Sequence, residues 1–213
     1  MKSKNDISTM LKEAGILFGI TLIAGLLLGF IYELTKEPRR IQQEKAIQEA
    51  CVAAFPDAQR QNLELEFTEL KYIPGEELSA ELTEKGVEIG TVYEAKSSGN
   101  FYGYVVETVS SKGYGGDIVL YIGVEADGTV GGVSITESSE TAGLGLEASS
   151  VLTPQFAGKN FDSFVYTKTG AKEGTNEVDA ISSATITTKA VTEAVNGGLK
   201  AATELLEGGV GDE

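Results

Sequence analysis

The longest apolar run in the chain is Ala14–Tyr32 (AGILFGITLIAGLLLGFIY), which carries no charge and is apolar apart from Thr21. At helical rise its 19 residues span roughly 28 Å, close to the hydrocarbon thickness of a bilayer. Tyr32 suits a membrane–water interface. The run is long for a signal-peptide core, and no small-residue cleavage site follows it. It predicts a single transmembrane helix over residues 14–34, behind a short polar N-terminus at 1–13. Gly25 and Gly29 lie four apart on one face and permit close packing against another helix. Charge is nearly balanced across the span: Lys2, Lys4 and Lys12 precede it, while Lys36, Arg39, Arg40 and Lys45 follow it.

The period then changes twice. Residues 39–55, after Pro38, repeat apolar positions at helical spacing and predict a helix ended by Pro56. Leu63–Ile73 alternates and predicts a strand, broken by Pro74-Gly75. Glu77–Gly86 is acidic and reads as a loop or short helix. From Val87 the chain becomes short strands between glycine-rich turns: Glu88–Lys96, Tyr102–Val109, Asp117–Val124 and Thr129–Glu137. Asp127-Gly128 marks a hairpin between the last two. Tyr104, Val106, Ile118, Leu120, Ile122, Val124, Val130, Val133 and Ile135 supply one apolar sheet face. A short helix is expected over Ser149–Gly158, limited by Pro154, and short strands over Phe161–Lys168 and Glu177–Ile181. Thr185–Glu207 carries a helical apolar stripe from Val191 to Leu206, with Gly197-Gly198 weakening its middle by roughly 1 kcal/mol per glycine. The expected organisation is a juxtamembrane helix and strand region at 35–86, a principal domain at 87–207 and a tail at 208–213. The fold class is α+β, with one N-terminal transmembrane helix followed by a mixed helix and antiparallel-sheet domain.

Composition narrows the chemistry. The chain has no His and no Trp, and its one cysteine is Cys51. A haem with a His ligand, a His-ligated zinc and a self-contained Cys-ligated iron–sulfur cluster are excluded, as is any His-based triad. Redox chemistry here would need an organic group. The formal charge of −15 argues against nucleic acid and anionic lipid headgroups as partners.

Against that acidity, residues Ala180 to Thr192 stand out. They contain no carboxylate, six Ser or Thr hydroxyls and one cation, Lys189. Acidic side chains are favoured in a helix's first turn because they complement its positive end. A start without them suits a bound anion such as a phosphate; an ordinary Ser/Thr cap is the plainer alternative. Gly113-Tyr114-Gly115-Gly116 lacks the context of a dinucleotide fingerprint and reads as a tight turn. Glu140-Thr141-Ala142-Gly143-Leu144-Gly145 is, by composition, a flexible loop between strand and helix.

Asp179-Ala180-Ile181-Ser182-Ser183-Ala184-Thr185 resembles the flavinylation motif of the FMN-binding domains in the G subunit of Rnf complexes and the C subunit of sodium-pumping NADH:quinone reductases. The family pattern is Asp, two residues, Ser or Thr, usually Gly, then Ala-Thr, and its final Thr carries FMN through a phosphoester. That Thr maps onto Thr185. Ser183 stands where Gly is usual, which bears on the turn, since Gly tolerates positive φ and Ser does so reluctantly. Residues 140–145 resemble the Glu-Thr-Pro-Gly-Leu-Gly loop of the same domains, with Ala142 in place of Pro.

The resemblance implies covalent FMN on Thr185, with Ser182, Ser183, Ala184, Thr187, Thr188 and Lys189 around its phosphate. It also implies that Glu140, Thr141, Gly143, Leu144 and Gly145 approach from across the pocket. A threonine hydroxyl with no His or Cys beside it does not activate itself. The family implies a separate flavin transferase, for which Asp179 would be a recognition feature, and no metal site in the chain. It further implies an electron carrier rather than a complete catalyst, held in the cell membrane by one span with its domain on the outer face. The other membrane subunits of an Rnf-type complex would be its partners. The alternatives are the quinone-reductase C subunit, a stand-alone extracellular flavin carrier, and a membrane-tethered binding module without redox function.

Overall fold

A computed structural model of the chain describes residues 3–208. Met1 and Lys2 of the polar N-terminus, and residues 209–213 of the expected tail, lie outside the described residues. The chain falls into two units, Met1–Ala46 and Ile47–Glu213.

Helix α1 runs from Ser3 to Ala53. Its one apolar window is long enough to cross a membrane, and none of that window is buried within the protein. Leu22, Leu26 and Phe30 are among its exposed side chains. The transmembrane span expected at 14–34 is therefore the middle of a longer helix. Pro38 was expected to separate two helices, but it lies inside α1. A proline removes one amide donor and crowds the carbonyl four residues back. Here the helical pattern continues on both sides of it, and Arg40 pairs with Glu37 at 3.1 Å and with Glu44 at 3.2 Å across the same turns.

In the second unit, five strands form an antiparallel sheet in sequence order: β1 (Leu65–Leu70), β2 (Val87–Ser97), β3 (Asn100–Ser110), β4 (Ile118–Glu125) and β5 (Val130–Ser138). Strand β1 and helix α3 (Glu76–Lys85), both from the 35–86 segment, share this sheet and its core. The register sets Tyr104 against Val124 and Val106 against Ile122. Because strand side chains alternate between faces, these residues, with Ile118, Leu120 and Val130, form one continuous buried face, as the alternation predicts.

Helix α4 (Thr185–Gly208) packs on that face through Val191, Ala194, Val195 and Leu199. The glycine pair in its middle is a close-approach device. A Cβ at Gly197 would meet Leu82 Cδ2 at 2.7 Å, and one at Gly198 would meet Ile122 Cδ1 at 2.8 Å. The opposite face is covered by the last turn of α1 and by α2 (Pro56–Arg60). Ala50, Cys51, Ala54, Phe55 and Ala58 pack there on Ala95, Val105 and Tyr121. Helix α1 stops at Ala53, just ahead of Pro56 as expected, and Pro56 then opens α2, where its missing N–H costs nothing.

Two expected elements differ. The helix predicted over Ser149–Gly158 is a series of short 3-10 and π turns, Gly145–Glu147, Ala148–Leu152 and Thr153–Gln155. The strand predicted over Phe161–Lys168 shrinks to β6 (Val165–Thr167), paired in parallel with β7 (Glu177–Asp179). Phe161 and Phe164 are drawn inward instead. Phe164 stacks edge-on against Phe156, and its backbone N–H and C=O both bond the buried Asn196 side chain of α4, at 2.7 and 2.9 Å.

Candidate functional site

Strand β7 stops at Asp179, and a tight turn redirects the chain into α4. The Ala184 amide donates to the Ile181 carbonyl at 3.1 Å, and Ser183 holds φ 64°. That left-handed conformation is one that glycine adopts more readily than serine. The Thr188 hydroxyl locks the turn: it accepts from the Ile181 amide at 3.1 Å and donates to the Ala184 carbonyl at 2.9 Å. The Thr192 hydroxyl donates to the Thr188 carbonyl at 2.8 Å. Both side chains are buried.

No acidic residue lies in the first turn of α4 itself. A carboxylate reaches it from elsewhere. Glu140, 6% exposed, accepts from the Thr187 hydroxyl at 2.5 Å through Oε2 and from the Gly115 amide at 2.9 Å through Oε1. The counter-charge to the helix start, missing from the local sequence, is thus supplied by a loop 47 residues away. Glycines make room for it. A Cβ at Gly145 would press on the Glu140 carboxylate, and one at Gly113 would lie 2.8 Å from Oε1. A Cβ at Gly115 would collide with the Ser139 carbonyl. The Gly113–Gly116 cluster and the 140–145 loop are therefore one construction, closed around a carboxylate.

Beside this carboxylate opens a cavity of about 470 Å³. Of the residues predicted from sequence, Glu140, Thr141, Leu144 and Gly145 line one side, and Ser183, Ala184, Thr185 and Thr187 line the other. The two motif segments thus meet. Ser182, Gly143, Thr188 and Lys189 are not on this wall. Lys189 faces Glu193 at 3.7 Å and lines a neighbouring cavity with Lys85 and Lys112. Asp179 is exposed; its Oδ1 accepts from the Ala171 amide at 2.6 Å, and its own amide donates to the Gln155 side chain at 2.7 Å. Tyr114 and Ile186, 70% and 55% exposed, line the cavity and were not picked out from sequence. Their signal was weak: an aromatic inside a glycine cluster, and an apolar residue on the polar side of a helical stripe.

The Thr hydroxyls at this corner differ in one respect. Those of Thr187, Thr188 and Thr192 are all bonded within the protein. Among the described residues, none bonds the hydroxyl of Thr185, which is half-buried on the cavity wall at the first position of α4.

The residues at 113–200 match the FMN-binding domain, a range that holds every residue on the cavity wall. The chain is 32% identical to the G subunit of an ion-translocating oxidoreductase complex of Methanosarcina acetivorans, over 83% of this chain and 86% of that protein. The chain belongs to the family of G subunits of ion-translocating oxidoreductase complexes. A second member, from Haemophilus influenzae, is 30% identical over 83% of both chains. The G subunit of the Na(+)-translocating ferredoxin:NAD(+) oxidoreductase complex of Acetobacterium woodii is 44% identical over 57% of this chain, a stretch that spans 59% of that protein. The fold is shared with the crystal structure of the C subunit of the Na(+)-translocating NADH-quinone reductase from Parabacteroides distasonis, at a TM-score of 0.54 and 24% identity, covering 78% of this chain and 94% of that one.

The wall suits the FMN of the domain to which it belongs. The first amides of α4 precede the bond from the Thr188 amide to the Ala184 carbonyl at 2.9 Å, and unpaired amides at a helix start suit a phosphate. Leu144, Ile186 and Tyr114 offer apolar surface to a ring system. Members of this family are named as parts of ion-translocating complexes, which agrees with the exposed apolar span of α1.

Proposed function

We propose that this chain is the flavin-bearing electron-transfer subunit of an Rnf-type ion-translocating ferredoxin:NAD oxidoreductase, with FMN joined to Thr185 by a phosphoester. The observation that carries the attachment point is that Thr185 lines the cavity with its hydroxyl unbonded among the described residues, while those of Thr187, Thr188 and Thr192 are bonded internally. The amides of Thr185, Ile186 and Thr187 and the exposed hydroxyl of Ser183 would hold the phosphate, and Glu140 fixes the turn that presents it. Bound FMN supplies an organic redox centre able to exchange electrons singly or in pairs.

No His or Cys stands beside Thr185 to activate its hydroxyl, so loading falls to a separate flavin transferase, for which exposed Asp179 is a recognition feature. Helix α1 anchors the protein among the other membrane subunits of the complex, with the second unit on the outer face, where covalent attachment prevents loss of the cofactor. Overlap with full-length G subunits favours this reading over the quinone-reductase C subunit, the stand-alone carrier and the non-redox module.

The test is a denaturing gel of the chain produced with an active flavin transferase and viewed under ultraviolet light. A fluorescent band in the wild type that is absent from Thr185→Ala is the expected result. Fluorescence retained in Thr185→Ala removes Thr185 from this role, and none in either returns residues 182–188 to a helix cap.

A further inference from the structure

Glu140 is a buried carboxylate on the wall of the proposed flavin cavity. Its partners are the Gly115 amide and the Thr187 hydroxyl, both neutral, and among the described residues no Lys or Arg pairs with it. The cavity's neighbouring cations, Lys112 and Lys189, line a different hollow. The glycines at 113 and 145 make room for the carboxylate, since a Cβ at either would press on its oxygens. So small a space, kept open for a charge rather than filled with an apolar residue, needs a reason beyond packing. An uncompensated carboxylate held out of water acts on its surroundings far more strongly than one in solvent.

We propose that Glu140 is a positioning residue that sets the reduction potential of the cavity's occupant, holding it low so that the bound cofactor is a stronger electron donor. This rests on the reading that the cavity takes a flavin. Two-electron reduction with uptake of fewer than two protons adds negative charge next to the Glu140 carboxylate, which the fixed charge disfavours. The Thr187 and Gly115 donors offset part of that field. Removing the charge and removing a donor should therefore move the potential in opposite directions, a pattern that loosening of the loop alone does not produce.

The experiment uses the full chain in detergent, produced with a flavin transferase, as wild type, Glu140→Gln and Thr187→Val. Covalent loading is read by in-gel fluorescence. Midpoints are read by titration with dithionite, the electron source, against a reference dye. Glu140→Gln is expected to raise the reduced-to-oxidised ratio at fixed ambient potential at least tenfold, a shift of about +30 mV for a two-electron couple. Thr187→Val, which keeps the charge and loses a donor, is expected to lower it. Loaded variants with unchanged midpoints, or both moving in one direction, overturn the assignment. If Glu140→Gln does not load, Thr187→Val decides alone: a midpoint at or above wild type overturns it. A wild type without flavin, transferase being active, overturns the flavin reading instead and this assignment with it.

Discussion

Thr187 and Glu140, 47 residues apart in the chain, are joined by a hydroxyl-to-carboxylate hydrogen bond of 2.5 Å. With the Gly115 amide on the other carboxylate oxygen, this one side chain ties the 113–116 and 140–145 loops to the start of α4. Glu140→Ala removes the acceptor of the buried Thr187 hydroxyl and of the part-buried Gly115 amide at once. Hydrogen bonds to charged groups contribute about 1.5–3 kcal/mol each, and unsatisfied buried groups are costly. The expected loss is about 3 kcal/mol, read by urea denaturation, with Thr187→Val losing about half as much.

Ser183 sits at φ 64°, a conformation that costs a residue with a Cβ about 1–2 kcal/mol. Ser183→Gly removes that cost, while the freer unfolded chain takes back about 0.4–1 kcal/mol. A net gain of about 0.5 kcal/mol is expected as a small rise in melting temperature. Ser183→Val, stiff at its Cβ, should lose stability by more than the glycine gains.

Glu81 joins α3 to α4 by accepting from Lys200 at 2.6 Å, and it also accepts from Lys85 at 2.5 Å. The hydrogen bond from Lys200, then that from Lys85, holds its carboxyl below the usual carboxylate range. A carboxyl depressed by folding stabilises above its unfolded value and loses that contribution as pH falls through its folded one. Wild type should therefore exceed Glu81→Gln in stability at neutral pH. The site is half-exposed, so the margin is below about 1 kcal/mol. The two should converge as pH drops below the carboxylate range, which parallel melting curves would record.

The end of α1 belongs to the second unit. Ala50, Cys51, Ala54 and Phe55 cover one face of the sheet. A chain lacking residues 1–38 should be soluble and fold; one lacking residues 1–56 should expose that face and aggregate. Cys51 reports on the difference. Burial, and then the negative charge of Glu107, push its thiol up to about 12. In the shorter deletion, Cys51 should resist alkylation at pH 8 until denaturant is added.

Much of this protein was legible in its residues. The antiparallel strands β2 to β5 and helix α4 follow from alternation and helical period, and Asp127-Gly128 marks its hairpin. The two loops of the site were legible only as motifs, because their meeting depends on sheet register. Pro38 misled, since a local rule for ending helices competes with good helical sequence on both sides. The role of Thr188 was also hidden: nothing in a Ser/Thr-rich run says which hydroxyl closes a turn and which is left free. The acid-free start of α4 implied a missing anion, and the structure supplies one from Glu140.

The wall beside Thr185 is assembled from pieces 25 and 47 residues distant along the chain, counted from Glu140 to Gly115 and to Thr187. Closing such loops is slow and comes only once the sheet between them has paired. An incompletely folded chain carries the same heptapeptide at 179–185 but no cavity behind it. Any modification that requires the cavity is thereby a checkpoint on folding, passed only by molecules whose sheet and last helix have already docked.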